Sequence, residues 1–399
     1  MHVTGVLIGN ISPARMAAFE VLYAVKEGAY ASDALRDRTQ SIETRDAKLA
    51  SQVVFGCLRY QAQLDYLILL YSGRPAEQLD APVAIALRMA IFQLRYLERI
   101  PPHAAVGESV ELVKRHKRAA TGLANAVLRK VNRQPVPWPD LATEVSCPQW
   151  LLDRWTEHFG DSEGRAIAQA ALSEPTPYIR VPPDSPLPAG AELEATPVEG
   201  CFRLLSPVQP GMRLYDIGSQ IIVPLLDLQA GHSYLDLCAA PGNKTLQALE
   251  TRVSLAVACD INPKRIREIP AVCPRVVLDA TRSLPFGRKF DRIFIDAPCS
   301  GTGTLGRNPE IKWRVQRQDF VRFRQKQSGI VSQAIEFLSP GGKLLYATCS
   351  LEPEENEGVI RGILANHRRL GCEREMRRLP GRDEGDGFYA AVLSQARSG

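Results

Sequence analysis

The sequence predicts an all-helical front half, a small connecting module, and an α/β domain built on a mostly parallel sheet. Three observations carry that expectation. Apolar residues recur at helical spacing from about residue 12 to residue 133. Prolines crowd residues 173 to 200, which excludes regular helix there. From about Gly231 onward, short apolar strands alternate with helical stretches, the pattern of parallel strands joined by helices. The expected domains are residues 1–140, 141–226 and 227–399.

In the front half, Ser12-Pro13 reads as an N-cap followed by proline at the first helical position. Ala18, Phe19, Val21, Leu22 and Val25 then line one helical face, and Gly28 ends the run. Further stripes are Leu49, Val53, Val54, Leu58 and then Val83, Leu87, Ile91, Leu94, Leu97. Pro101-Pro102 separates that helix from one over Val106 to about His116, and Thr121-Gly122 leads into a last helix, Leu123 to Val131. Pro135-Val136-Pro137-Trp138-Pro139 reads as a linker, followed by a short helix over Trp150 to Phe159. The proline-rich stretch suits short strands at Tyr178–Val181 and Phe202–Leu205. Strands of the last domain are expected at Tyr234–Cys238, Ala256–Cys259, Val276–Leu278, Phe290–Ile295, Lys343–Ala347 and Gly387–Leu393.

With 45% hydrophobic and 23% charged residues over 399 positions, the chain has ample material for a soluble core. It has no apolar run of about 18 residues, so no membrane span is expected. The stretch Met1–Ile8 lacks the basic start and long apolar segment of a signal peptide. Nine scattered cysteines without a C-x-x-C pair argue against a disulfide framework or a zinc site. A reducing, cytoplasmic setting without a structural metal is therefore expected. Nothing in the motifs demands a second chain, and a monomer is the expectation. The net charge of +5 is modest, but it is unevenly spread. Lys114, Arg115, Lys117, Arg118, Arg129, Lys130 and Arg133 form one basic cluster, and Arg307, Lys312, Arg314, Arg317, Arg322, Arg324 and Lys326 a second. Such clusters suit an anionic polymer, or equally the solvated faces of helices.

The chemistry-bearing residues gather at strand ends. Asp296-Ala297-Pro298-Cys299-Ser300-Gly301-Thr302-Gly303 follows one strand, and Thr348-Cys349-Ser350 follows another that could be its neighbour. Ligands of open α/β sheets bind outside the carboxyl ends of the strands, so both thiols point to the place where chemistry is expected. A lone free cysteine is more often a small buried residue; two in polar strand-end loops favour function. After the first strand of this domain comes Cys238-Ala239-Ala240-Pro241-Gly242-Asn243-Lys244-Thr245, a glycine-bearing turn at a helix start that is not G-x-G-x-x-G. Asp260 follows the second strand, placed for ribose hydroxyls; Asp279 closes the third, within reach of an adenine edge; Asp296 closes the fourth. A ribose-binding acid without a phosphate cradle fits S-adenosylmethionine, which has no phosphate. Each aspartate alone could merely cap a turn.

These motifs resemble the RNA (cytosine-C5) methyltransferases. The residues that carry the likeness are Asp236-x-Cys238-Ala239-Ala240-Pro241-Gly242-x-Lys244-Thr245, the Asp296–Gly303 stretch and Thr348-Cys349-Ser350. Pro309-x-Ile311-Lys312-Trp313 and Glu354-Glu355-Asn356-Glu357 add to it. In the front half, Ala14-Arg15-Met16-Ala17, Val21–Val25 and Asn125-Ala126-Val127-Leu128-Arg129 resemble the NusB helical RNA-binding fold. Together the chain resembles the Sun/Fmu subfamily: a Rossmann-like methyltransferase domain behind a NusB-like bundle, acting on small-subunit ribosomal RNA.

The resemblance implies cofactor contacts from Cys238 through Lys244, with Asp260, Asp279 and Asp296. It implies that Cys349 adds to carbon 6 of cytosine and that Cys299 takes the carbon 5 proton so that the enzyme thiol can leave. Asp296 would hydrogen-bond nitrogen 3 of the base. Asn243 stands where the family has glycine, and asparagine is the next best residue for a left-handed backbone. The interval between Asp260 and Asp279, broken by Pro263, Pro270 and Pro274, leaves room only for a stunted helix. An exocyclic-amine methyltransferase would need an Asn/Asp-Pro-Pro-Tyr-like loop, which is absent. A transfer-RNA methyltransferase and a non-catalytic RNA-binding assembly factor are the rival readings.

Overall fold

The structure, a computed structural model, describes residues 11–395, so Met1–Ile8 and its reading lie outside the described residues. Close packing divides the chain into two units: residues 1–173 with 306–314, and residues 174–305 with 315–399.

The first unit is helical. Its helices are α1 (Pro13–Lys26), α2 (Ala31–Thr39), α3 (Thr44–Arg59), α4 (Gln61–Ser72), α5 (Ala81–Tyr96), α6 (Pro102–His116), α7 (Thr121–Leu128), α8 (Leu141–Glu144), α9 (Gln149–Phe159) and α10 (Asp161–Ala170). The apolar stripes face one core, in which Ala18, Val21, Val53, Val54, Leu87 and Ile91 are inaccessible to solvent. Pro13 does open α1, but the Ser12 hydroxyl donates to the Glu108 carboxylate on α6 rather than capping its own helix. Arg15, also buried, joins the same carboxylate and Gln93 on α5. Pro102 is the first residue of α6, not a spacer before it, because a proline without an N–H loses nothing in a first turn.

Residues 306–314 complete this unit by satisfying helix ends. Helix termini leave backbone groups without partners. Here Trp313 Nε1 donates to the Leu58 carbonyl at 2.7 Å and Lys312 Nζ to the Arg59 carbonyl at 2.9 Å, at the end of α3. Arg314 donates to the carbonyls of Gly28 and Ala29, and the Glu310 carboxylate accepts the Ala31 N–H that opens α2.

The second unit begins with a small antiparallel sheet of β1 (Tyr178–Arg180), β2 (Leu193–Ala195) and β3 (Cys201–Leu204), in the order β1-β3-β2. Arg180 fixes it to the following domain by a two-pronged pair with Glu250, at 2.7 and 2.6 Å. The main sheet has β4 (Ser233–Asp236), β5 (Leu255–Asp260), β6 (Arg275–Val277), β7 (Phe290–Asp296), β8 (Leu338–Thr348), β9 (Leu370–Arg378) and β10 (Phe388–Gln395). Their order is β6-β5-β4-β7-β8-β10-β9, with β10 antiparallel to both neighbours and the rest parallel.

Side chains alternate across a sheet, and this sheet is buried on both faces. Ile293, Ile295, Leu344 and Tyr346 pack under the helices Arg317–Glu336 and Glu357–Asn366. Phe294, Leu345 and Ala347 face the opposite layer, with Ile222, Leu226 and Ala248. Two faces that both exclude water require nearly continuous apolar strands, which is why β7 and β8 stand out in the sequence. The order reverses between β4 and β7, so the loops after β4, β5, β7 and β8 converge at one edge.

Lys312 tests the packing of the helical unit. It is 1% exposed, and burial lowers its ammonium to about 7, a shift that Cys147 opposes and Arg59 reinforces. A base depressed in the folded state loses stability as pH falls from its unfolded value towards its folded one. Lys312→Met should therefore be more stable than the parent at pH 7, by on the order of a few kcal/mol less about 1 kcal/mol for the lost hydrogen bond. That difference should shrink between pH 7 and pH 10, as read from paired denaturant titrations.

Candidate active site

Each strand-end residue is set by the ladder behind it. In β7 and β8, Asp296 lies opposite Ala347, and the Ala297 N–H carries the pairing one step further, to the Ala347 carbonyl at 2.8 Å. The two loops then leave side by side and are laced together. The Gly303 N–H donates to the Cys349 carbonyl at 2.8 Å, and the Leu351 N–H to the Thr302 hydroxyl at 2.9 Å. Gly303 must be glycine: a Cβ there would sit 2.4 Å from the Gly387 carbonyl oxygen and 2.8 Å from that of Cys349.

This lacing brings the thiols of Cys299 and Cys349 to 3.3 Å from each other. Both line one cavity of about 270 Å³, shared with Cys238, Ala240, Asp260, Asp279 and Asp296. Ala239, Pro241, Gly242, Asn243 and Lys244 do not line it. Ala239 is packed against Ala258 and Ile269. Gly242 takes φ +105° and caps the helix Asn243–Leu249. Asn243 itself is the first helical residue, so the left-handed backbone expected there belongs to Gly242; the asparagine amide instead donates to the Leu214 carbonyl. Lys244 reaches Asp296 Oδ2 at 2.7 Å and lies over the Phe388 ring.

Asp260 accepts the Ala240 N–H on one oxygen and the Asn262 N–H on the other. Asp279 accepts from the hydroxyl and N–H of Thr281, which hold its carboxyl below the usual range. The helical structure between these two acids is a single tight turn, Arg265–Glu268, before β6, in keeping with the prolines there. Ribose hydroxyls and a sulfonium cation suit the three carboxylates on this cavity. The lining therefore fits S-adenosylmethionine, with apolar Ile261 and Leu278 close in sequence to Asp260 and Asp279.

The hydrogen bond with Cys349, then burial, push the Cys299 thiol well up, so Cys299 keeps its proton. Burial alone would lower the Lys244 ammonium, but Asp296 more than reverses this and the Cys349 sulfur adds to it, holding Lys244 above its ordinary value. Beneath the site, burial pushes Asp236 up to about 7 against a hydrogen bond from Thr245, and pushes Glu355 up to about 7 against bonds from Ser300 and Ser350.

Arg265, Lys326 and Ile330 also line the cavity and were not read from the sequence. Lys326 and Ile330 are one turn apart on the helix Arg317–Glu336, a spacing that could have pointed to a shared face. The second basic cluster does not form one patch: Lys312 is buried and Arg314 is bound to carbonyls, whereas Lys326 faces the cavity.

Residues 12–133 match the NusB family profile, and residues 223–394 match that of 16S rRNA methyltransferase RsmB/F. Ribosomal RNA small subunit methyltransferase B of Yersinia enterocolitica is 34% identical, covering 95% of this chain and 97% of its own. The protein of the same name from Cronobacter sakazakii is 33% identical over 96% of this chain and 99% of its own. Among solved folds, PH0851 superposes with a TM-score of 0.80 at 22% identity, covering 97% of this chain and 99% of its own. NSun6 from Pyrococcus horikoshii with SFG gives 0.57 at 17% identity, over 63% of this chain and 99% of its own. Carrying both profiles in this order, and matching such relatives over nearly its whole length, the chain belongs to the RsmB/F family of 16S rRNA methyltransferases and is an S-adenosylmethionine-dependent RNA (cytosine-C5) methyltransferase.

Proposed function

We propose that the chain methylates carbon 5 of a cytosine in small-subunit ribosomal RNA through a covalent adduct at Cys349 that Cys299 resolves. The supporting observation is the thiol pair, 3.3 Å apart in one cavity that also holds Asp296. In this reading residues 1–140 bind RNA, 141–226 connect, and 227–399 catalyse.

Carbon 5 of cytosine is a weak nucleophile. The Cys349 thiolate forms a bond to carbon 6, and the electron pair of the 5,6 double bond moves onto carbon 5 and towards nitrogen 3. Nitrogen 3 takes a proton from solvent as negative charge develops there; Asp296 accepts the hydrogen bond of that N–H, with the Lys244 ammonium on its other side. S-adenosylmethionine, when bound, supplies the methyl that carbon 5 accepts; Cys238, Ala240, Asp260, Asp279 and Asp296 line the cavity that would hold it, with Gly242 starting the helix behind them. Bonding to carbon 6 removes the Cys349 charge that holds the Cys299 proton, so Cys299 then passes that proton to solvent and takes the carbon 5 proton. The freed pair restores the 5,6 double bond and expels the Cys349 thiolate. Splitting one hard substitution into these steps is covalent catalysis. Lys244 beside Cys349, and a Cys299 that keeps its proton only while Cys349 is unbonded, suit this division of labour.

Three measurements test the reading. Cys349→Ala should abolish both methylation and covalent capture of RNA on a denaturing gel, whereas Cys299→Ala should accumulate the adduct; an adduct in the Cys349 variant would reverse the roles. In calorimetry, Asp260→Ala should bind S-adenosylmethionine about 10- to 100-fold more weakly, as expected for loss of a charged hydrogen-bond acceptor. Bisulfite mapping of cells lacking the protein should show a 5-methylcytosine lost from small-subunit ribosomal RNA, and a loss confined to transfer RNA would redirect the substrate.

A further inference from the structure

We propose that Glu355 is the positioning residue that holds the two thiols at their working distance. The inference rests on the two-thiol reading above but stands on separate contacts. Glu355 is wholly buried. It accepts the Ser300 N–H at 2.9 Å, the Ser300 hydroxyl, the Ser350 hydroxyl at 2.7 Å and Gln327 Nε2 at 3.1 Å. Ser300 and Ser350 are the residues that follow Cys299 and Cys349, and their hydroxyl oxygens are 3.0 Å apart. One carboxylate therefore grips both cysteine loops one residue beyond each sulfur.

The array around Glu355 is two N–H groups on one oxygen and two hydroxyls on the other. A glutamine could keep it, its oxygen accepting the N–H groups and its NH₂ donating to the hydroxyls, whereas an alanine leaves the two loops without their common anchor and buried donors unpaired. Asn356 extends the grip. Its Oδ1 accepts the Thr348 hydroxyl at 2.6 Å and its Nδ2 donates to the Ser350 carbonyl at 2.9 Å, so that Thr348-Cys349-Ser350 is bracketed. Gln327 links the Pro298 carbonyl to the same centre. Behind the Cys349 bond and burial, the negative charge of Glu355 also helps Cys299 to keep its proton. A Glu355 that served only to fill space would influence neither sulfur.

Thiol spacing can be read without catalysis. Diamide, a diazene, takes one hydrogen from each of two neighbouring thiols to become a hydrazine while the sulfurs join as a disulfide. Peptide mapping of the full-length protein should find Cys299 joined to Cys349 and give the rate. In Glu355→Ala that rate should fall at least about tenfold, and the kcat for methyl transfer to small-subunit RNA about 100-fold, with S-adenosylmethionine affinity and RNA KM within about threefold. Ser300→Ala and Ser350→Ala should each give a partial effect, and Glu355→Gln should restore most of the parent rate. Should Glu355→Ala fail to melt cooperatively, the double variant Ser300→Ala/Ser350→Ala provides the same readout. Parent-like disulfide formation in the folded alanine variant overturns the inference. A slowed disulfide with parent-like methylation would keep the spacing role for Glu355 and overturn the two-thiol mechanism instead.

Discussion

The parallel pairing of β7 with β8 is the constraint on which the site depends. Both strands lie inside the sheet, buried on both faces, and their register sets Asp296 against Ala347. A slip of one residue would turn every core side chain to the wrong face, so the register is held by the whole core. Everything beyond the strand ends inherits that precision. The loops start level, meet at the Gly303 N–H and Cys349 carbonyl, and deliver two sulfurs to one point. The cross-links work only because Gly303 brings backbone against backbone, where any side chain would collide.

The same geometry concentrates negative charge. Asp236, Asp260, Asp279, Asp296 and Glu355 all lie in or beneath the cavity edge, with Lys244 buried among them. Burial disfavours charged carboxylates, and the two deepest, Asp236 and Glu355, are raised accordingly. Lys244 is the counterweight, bound to Asp296 and close enough to Cys349 for that sulfur to support its charge. The site is thereby polarised, with a cation on the Cys349 side and a proton retained on Cys299.

Much of this arrangement was legible in the sequence, because the informative residues are local. Asp260 and Asp296 each close a short apolar strand and Asp279 follows one closely, and the thiols lie just beyond the Asp296 strand and β8; such strings need no tertiary knowledge. Strand β9 escaped notice because it is the sheet's outer strand, mostly exposed and rich in charge, with no apolar run to mark it. Helix α10 escaped because Asp161-Ser162-Glu163-Gly164 reads as a turn, although it begins a helix with acids at its N-terminus. Asn243 misled because one position separates the turn from the helix start, and composition cannot say on which side of that boundary a residue falls. Glu355 was visible only as part of the Glu354–Glu357 likeness, and its role was not, since its partners come from three separate segments that only the fold brings together.

Basic residues show the limit most sharply. In the helical unit, the carbonyls left over at helix ends compete for cations with any external phosphate. Lys130 donates to the Tyr71 carbonyl at the end of α4, and Arg133 to those of Leu94 and Leu97 at the end of α5. Lys312 and Arg314 serve α3 and the turn after α1 in the same way. Lys114 and Lys117 pair with Glu111 and Asp80. A run of lysine and arginine therefore overstates the charge presented to a polyanion, because part of it closes the bundle. Neutralising Lys130 or Arg133 would disturb helix ends as well as the surface field, so weaker RNA binding in such variants would report on folding as much as on contact. Surface charge inferred from sequence has to be discounted by the helix termini it is needed to satisfy.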